Sequence, residues 1–231
     1  MSTQEKAVKA LIFDKDGTLH DTERVFHDAW RLAAKDMRVP DIETTIRDCT
    51  GRNLQDIGQY WEAKYPDISF TDYLALRTRY FDQLTEQGIP VKEGAVQLLK
   101  TLRERGYLVA LATSTGRKTA MEHLRRTGME GLFDAMVFGD MVQRGKPAPD
   151  MYLTAAGALG LPPAVCVGVE DSPNGIRSVY NAGMRAIMVP DLTAPTPAIE
   201  ALLWAKCDCL LDILRVLDEK DPRPAGEAPR P

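Results

Sequence analysis

Apolar positions gather in short runs at residues 8–13 (broken only by Lys9), 108–112, 135–138, 165–169 and 186–189. Each run has the length and content of a buried strand. Between them, residues 95–105, 117–127, 150–159 and 173–182 carry helix-like patterns, and Gly106, Gly128, Gly160 and Gly183 follow as C-terminal stops. Strand and helix in alternation predict an α/β fold, a doubly wound, mostly parallel sheet.

One stretch breaks the alternation. From residue 21 to 88 there is no convincing strand, only charged amphipathic segments such as 23–37 and 71–87. Val25, Ala29, Trp30, Leu32 and Ala33 recur there at helical spacing, with Trp30 most simply part of a helical core. An inserted α-helical domain placed directly after the first strand is expected to act as a cap over the crevice. The expected organisation is a core domain at 1–20 and 89–217, a helical cap at 21–88, and a Pro-rich, charged, frayed tail at 218–231.

Composition narrows the class. In 231 residues, 44% are apolar and 27% charged, as in an ordinary globular protein, and the net charge of −4 gives no footprint for nucleic acid. No stretch approaches the roughly 20 apolar residues of a membrane span, and residues 1–9 carry no signal-peptide core. A cytoplasmic location is expected. Cys49, Cys166, Cys207 and Cys209 are expected to be reduced thiols; Cys207 and Cys209 have no second Cys/His pair nearby and suit alternation along a late strand at 207–211.

The run 8–13 leads straight into Asp14-Lys15-Asp16-Gly17-Thr18-Leu19-His20-Asp21-Thr22. Two acids then sit at the C-terminal end of a buried strand, where open α/β sheets place their ligand crevice. They flank one residue, so both side chains leave the same side of the chain. Adjacent carboxylates are costly unless a cation or a shared proton relieves them. The pair predicts a magnesium-type site, a nucleophile beside an acid/base, or both, although Asp and Gly also form plain turns.

Three later segments add chemistry. Thr113-Ser114-Thr115-Gly116 follows a strand and precedes a helix. Its hydroxyls and backbone N–H groups suit a phosphate cradle, or simply a helix cap. Lys146-Pro147-Ala148-Pro149-Asp150 holds a lysine in a stiffened segment, suited to neutralising a phosphate and a carboxylate, with Asp150 placed to cap the next helix. Glu170-Asp171-Ser172 ends another buried strand with adjacent acids, either helix caps or the other half of a cation site.

In order along the chain, these four strings resemble the four signatures of the haloacid dehalogenase superfamily, whose members include aspartate-nucleophile phosphatases and phosphomutases. The matches are Asp14-x-Asp16-Gly17-Thr18-Leu19-x-Asp21-Thr22, the strand ending in Thr113, Lys146-Pro147-x-Pro149-Asp150, and Gly168-x-Glu170-Asp171-Ser172. The resemblance implies a Rossmann-like core with a helical cap and a magnesium-dependent phosphatase. By that pattern Asp14 is the nucleophile and Asp16 the acid/base. Thr113, Ser114 and Lys146 bind the phosphoryl group. Magnesium is held by the Asp14 carboxylate, the Asp16 backbone carbonyl, Glu170 and Asp171. Lys15 is a less usual middle residue, taken to be clear of the chemistry. Dehalogenase members lack the second aspartate, so its presence here argues for phosphoryl transfer.

The implied substrate is a small phosphorylated metabolite, such as a sugar phosphate or phosphoglycolate, with no nucleic-acid or membrane partner and no readable oligomeric state. Specificity should come from the cap, where His20, Glu23, Arg24, His27 and Arg52 are the polar candidates near the hinge. Against the mutase pattern, Phe26 stands at the cap histidine and Leu54 at the cap arginine. That favours a monophosphate hydrolase over a β-phosphoglucomutase-like phosphomutase. A phosphonatase would need a poised cap lysine, and nothing marks Lys35 or Lys64 as one. A non-catalytic phosphometabolite-binding protein would normally have lost a signature residue.

Overall fold

The computed structural model describes residues 7–50 and 54–221. In chain order the elements are β1 (Ala10–Phe13), α1 (Glu23–Met37), α2 (Ile42–Cys49), α3 (Leu54–Lys64), α4 (Phe70–Leu84), α5 (Ala95–Glu104), β2 (Leu108–Ala112), α6 (Arg117–Arg126) and β3 (Ala135–Val137). They continue as α7 (Asp150–Ala158), β4 (Cys166–Glu170), α8 (Pro173–Asn181), β5 (Arg185–Met188), α9 (Pro197–Glu200), β6 (Ala205–Lys206) and α10 (Asp212–Lys220). The strands form one parallel sheet in the order β3-β2-β1-β4-β5-β6. From β1 the chain winds outward to β3 and then returns to the other side at β4, the doubly wound pattern.

Strand alternation sorts the core into two layers. Leu11, Phe13, Val109, Leu111, Val167 and Val169 face α5, α6 and α10, where Leu98, Leu102, Leu124 and Ile213 are buried. Ala10, Ile12, Ala110, Ala112 and Ala186 face α7, α8 and α9, with Tyr152, Ala155, Ile176, Val179 and Ile199. Small residues on this second face bring α8 close: a Cβ on Gly168 would lie 2.4 Å from Val179 Cγ2. The four glycine stops all have positive φ, between 68° and 77°, the left-handed geometry that favours glycine.

Chain contacts divide the molecule into Met1–His20 with Val91–Pro231, and Asp21–Pro90. The second unit ends at Pro90, whose carbonyl accepts from Asp21 N at 2.9 Å. It is all helical among the described residues, and α1 packs along α4. Its core is aromatic. The Trp61 and Tyr73 rings meet at 3.9 Å between centroids, Tyr73 Oη donates to the Trp30 carbonyl at 2.9 Å, and Trp61 Nε1 to that of Ile68. Trp30, Ala29 and Ala33 are buried as their spacing predicted, while Val25 and Leu32 are half-buried.

Some expectations are corrected. The late strand at 207–211 does not form. The last strand is Ala205–Lys206, and Cys207 and Leu210 are buried at a spacing of three, while Cys209 is exposed. Asp150 does not cap α7; its carboxylate pairs with Arg144 instead. The frayed tail does not begin at residue 218: Asp218, Glu219 and Lys220 belong to α10, and the Asp221 carboxylate accepts from Val8 N at 3.1 Å. The rest of that tail, 222–231, lies outside the described residues. No helix of the described residues is long and apolar enough to cross a membrane.

Candidate active site

Sheet register levels the candidate acids. Phe13 pairs with Leu111 on one side and Val169 on the other, so Asp14 stands beside Ala112 and Glu170 at the carboxyl ends of β1, β2 and β4. The Asp14 N–H is still held by the sheet, donating to Val169 O at 3.0 Å. Carboxylate oxygens of Asp14, Glu170 and Asp171 all lie within 4.8 Å of one another. Into this group reaches Lys146, whose Nζ bonds Asp14 Oδ1 at 2.5 Å, Glu170 Oε1 at 2.6 Å and the Ala112 carbonyl at 3.1 Å. Lys146 is buried, not a solvated surface lysine.

Glycines make the room. Gly17, at φ +83°, lies against Asp171, where a Cβ would come within 2.3 Å of Oδ2. A Cβ on Gly175 would fall 1.9 Å from the Glu170 carboxyl. Thr18 Oγ1 donates to Asp171 Oδ1 at 3.3 Å. Tyr152 Oη donates to Glu170 Oε1 at 2.6 Å. Burial holds the Tyr152 phenol well above its ordinary range, so it remains a donor. Sequence reasoning missed Tyr152; the available signal was a phenol in an otherwise apolar helix segment, whose hydroxyl needs a partner once buried.

Lys146 pairs with two of the three clustered carboxylates, Asp14 and Glu170. Burial pushes the Asp14 carboxyl up to about 7; Lys146 pulls against that shift, while Glu170 and Asp16 add to it. Burial alone would lower Lys146, but the Asp14 and Glu170 charges outweigh it and hold the ammonium above the ordinary lysine range. Hard oxygen donors gathered this closely fit a divalent cation, whose charge relieves their mutual repulsion. The cluster could therefore hold a metal ion.

Asp16 is turned elsewhere. Its two oxygens accept from Lys15 Nζ and from Thr115 Oγ1, the latter at 2.7 Å, and its side chain is not among the three clustered carboxylates. Lys15 was expected to stay clear of the chemistry; instead it is fully buried and its ammonium rests on Asp16. Behind it stand His123, with Nδ1 3.3 Å from Lys15 Nζ, and His20. Burial, then the Lys15 charge, push His20 down to about 3 and His123 to about 4.

Thr113 directly follows β2, fully buried, with its hydroxyl accepting from Thr115 N at 3.1 Å. Ser114 is exposed, and its carbonyl packs so close to Gly139 that a Cβ there would sit 2.1 Å away. Neither side chain caps α6. Gly116 occupies the cap position, and Asp140 Oδ2 accepts from Arg117 N at 3.1 Å. The plain capping explanation for these hydroxyls is thereby removed.

His20 lies in the core unit, fully buried, with Nε2 on Thr127 Oγ1 at 3.0 Å. In the helical unit, Glu23 opens α1, Arg24 is exposed, and His27 Nε2 meets Thr50 Oγ1 at 3.2 Å. Arg52 lies outside the described residues. Phe26 stacks on Phe81 at 4.3 Å, with the Arg77 guanidinium over its face.

The sequence profile of the haloacid dehalogenase-like hydrolases matches residues 8–183. A phosphorylated carbohydrates phosphatase of Thermotoga maritima is 35% identical, covering 78% of this chain and 84% of its own. The β-phosphoglucomutase of Bacillus subtilis is 30% identical, covering 79% and 83%. Among solved structures, CbbY from Rhodobacter sphaeroides in complex with phosphate superposes with a TM-score of 0.76 at 26% identity, covering 91% of this chain and 99% of that one.

Proposed function

The chain belongs to the haloacid dehalogenase-like hydrolases and is a phosphoric monoester hydrolase of that family, and on this premise we propose that it hydrolyses a small sugar-phosphate-like metabolite through an aspartyl-phosphate on Asp14. The single observation that carries this reading is the state of Asp14. It is buried at the carboxyl end of β1, with Lys146 clamped against one oxygen and two further acids beside it. A carboxylate so stripped of water is a stronger nucleophile than a solvated one.

In this reading magnesium is the cofactor, held by Asp14, Glu170, Asp171 and the Asp16 backbone carbonyl. When bound it offsets the acids' repulsion and draws charge from a phosphate oxygen. Asp14 attacks phosphorus in line with the ester oxygen. Asp16, its side chain outside the cation group, gives a proton to the departing oxygen and later takes one from the attacking water. Lys146 and the Thr113 hydroxyl stabilise charge on the equatorial oxygens, with Ser114 contributing beside them. The inserted helical unit is the cap that selects the substrate, with Glu23, His27 and Arg52 as its polar candidates.

Hydrolysis is favoured over phosphomutase chemistry because Phe26 stacks on Phe81 where the mutase pattern has a histidine. The test is magnesium-dependent phosphate release from a panel of phosphorylated sugars and small acids, ranked by kcat/KM. Free phosphate as product supports the proposal. An isomerised sugar phosphate as product, with a bisphosphate requirement, overturns it in favour of a mutase. No turnover of any ester, with or without magnesium, favours a binding protein.

A further inference from the structure

Lys15 is the chain's own departure in its first motif, and it is placed where a lysine is hard to keep. Its side chain has no exposed surface. A buried ammonium is tolerated only when its charge and donors are met. Among the described residues its ion-pair partner is Asp16, the next residue in the chain. A lysine has donors only, so His123 Nδ1, at 3.3 Å, must accept, which puts the imidazole proton on Nε2. The layer continues behind. Thr127 Oγ1 gives its proton to the His123 carbonyl at 2.8 Å, so His20 Nε2 donates to that same oxygen. The His20 and His123 rings stand edge to face at 6.3 Å. Among the described residues, the charge that meets the Lys15 ammonium is therefore that of Asp16, with the neutral His123 ring on its other side.

That direction matters because of what Asp16 must do. The second torsion of an aspartate is broad and nearly two-fold, so a carboxyl group held at one point samples many planes. Here it is held at two: Lys15 Nζ on Oδ1 and Thr115 Oγ1 on Oδ2. A carboxylate oxygen carries two lone pairs, so a bond from one holder does not by itself use up its capacity to meet a reacting group. We infer that Lys15 is a positioning residue which, together with Thr115, fixes the plane of the Asp16 carboxyl group for proton exchange with the leaving oxygen. The inference rests on the assignment of Asp16 as the acid/base.

The experiment compares kcat/KM, which reports steps up to formation of the aspartyl-phosphate, for an alkyl phosphate and for 2,4-dinitrophenyl phosphate. Alkoxide departure needs a proton from Asp16; dinitrophenolate departure does not. Asp16→Asn sets the scale and should lower the alkyl ester far more than the aryl ester. Lys15→Met should lower the alkyl ester about tenfold or more and leave the aryl ester within about twofold. Lys15→Arg should restore part of the loss. Should Lys15→Met fold poorly, Lys15→Met/His123→Leu removes the buried polar pair together, and Thr115→Val removes the other holder. Both should show the same split. An equal fall on both esters, or none, overturns the inference. If Asp16→Asn itself gives no split, the acid/base assignment fails; if only the Lys15 variants lack it, that assignment stands and the positioning role falls.

Discussion

Asp14 and Asp16 stand two residues apart, and each has a buried lysine against it, yet their surroundings differ in kind. Asp14 shares Lys146 with Glu170 and lies in a group of three carboxylates, where burial drives its carboxyl up to about 7. Asp16 has Lys15 on one oxygen and a threonine hydroxyl on the other, with two neutral imidazoles behind the lysine. The first environment crowds acids together and suits a cation and a nucleophile. The second is locally balanced and orients a carboxyl group. Two like residues are thus separated by what the rest of the chain brings to each.

The most severe way to break this pairing is to remove the nucleophile. Asp14→Asn keeps the size of the side chain and should lower kcat by at least about a thousandfold while the melting temperature stays near that of wild type. Steady-state assay with calorimetry checks it, and substantial turnover would end the assignment. Next is Gly175→Ala. Its Cβ would fall 1.9 Å from the Glu170 carboxyl, so that acid must move and the affinity for magnesium should drop on the order of 100-fold. A magnesium titration of activity reads the effect directly.

How far this was readable beforehand differs between the two sites. The strands of the sheet announced themselves as apolar runs, and the glycine stops as the positive-φ residues that they are. The acids of both sites lay at strand ends in plain view. The company of Asp16 did not. Thr115 and His123 reach it and Lys15 from about 100 residues further along the chain, across five helices and a strand. No local pattern reports that a lysine between two aspartates will turn inward. Tyr152 was missed for the same reason, since its bond to Glu170 joins α7 to β4. At the sheet's edge, β6 has only two residues, and the burial of Cys207 and Leu210 follows a turn instead of a strand.

Smaller effects sharpen the comparison. Tyr152→Phe removes a buried donor from Glu170 without changing packing. It should weaken magnesium binding about 10-fold, with the dinitrophenyl and alkyl esters affected alike. A split between the esters would place Tyr152 in the wrong group. The smallest effect concerns the wall behind Lys15. His20 is pushed down to about 3 when folded and returns to about 6.5 when unfolded, so between these values the unfolded chain binds the extra proton. Its contribution to stability is present above pH 6.5 and is lost as pH falls towards the folded value. At pH 5 this loss is about 2 kcal/mol for the fully buried ring. His20→Phe should therefore gain about that much on wild type between pH 7.5 and pH 5, measured by urea unfolding at each pH. A constant difference between the two proteins would contradict it.

The central claim is that Asp14, and not its neighbour, takes the phosphoryl group. In Asp16→Asn, release of the intermediate loses its base, so phosphorylated protein should accumulate when 2,4-dinitrophenyl phosphate and magnesium are added and the mixture is quenched in acid. Mass spectrometry of the peptides should find one phosphoryl group on Asp14. A phosphoryl group on any other residue, or an unmodified Asp14 while the ester is still being consumed, would contradict the account.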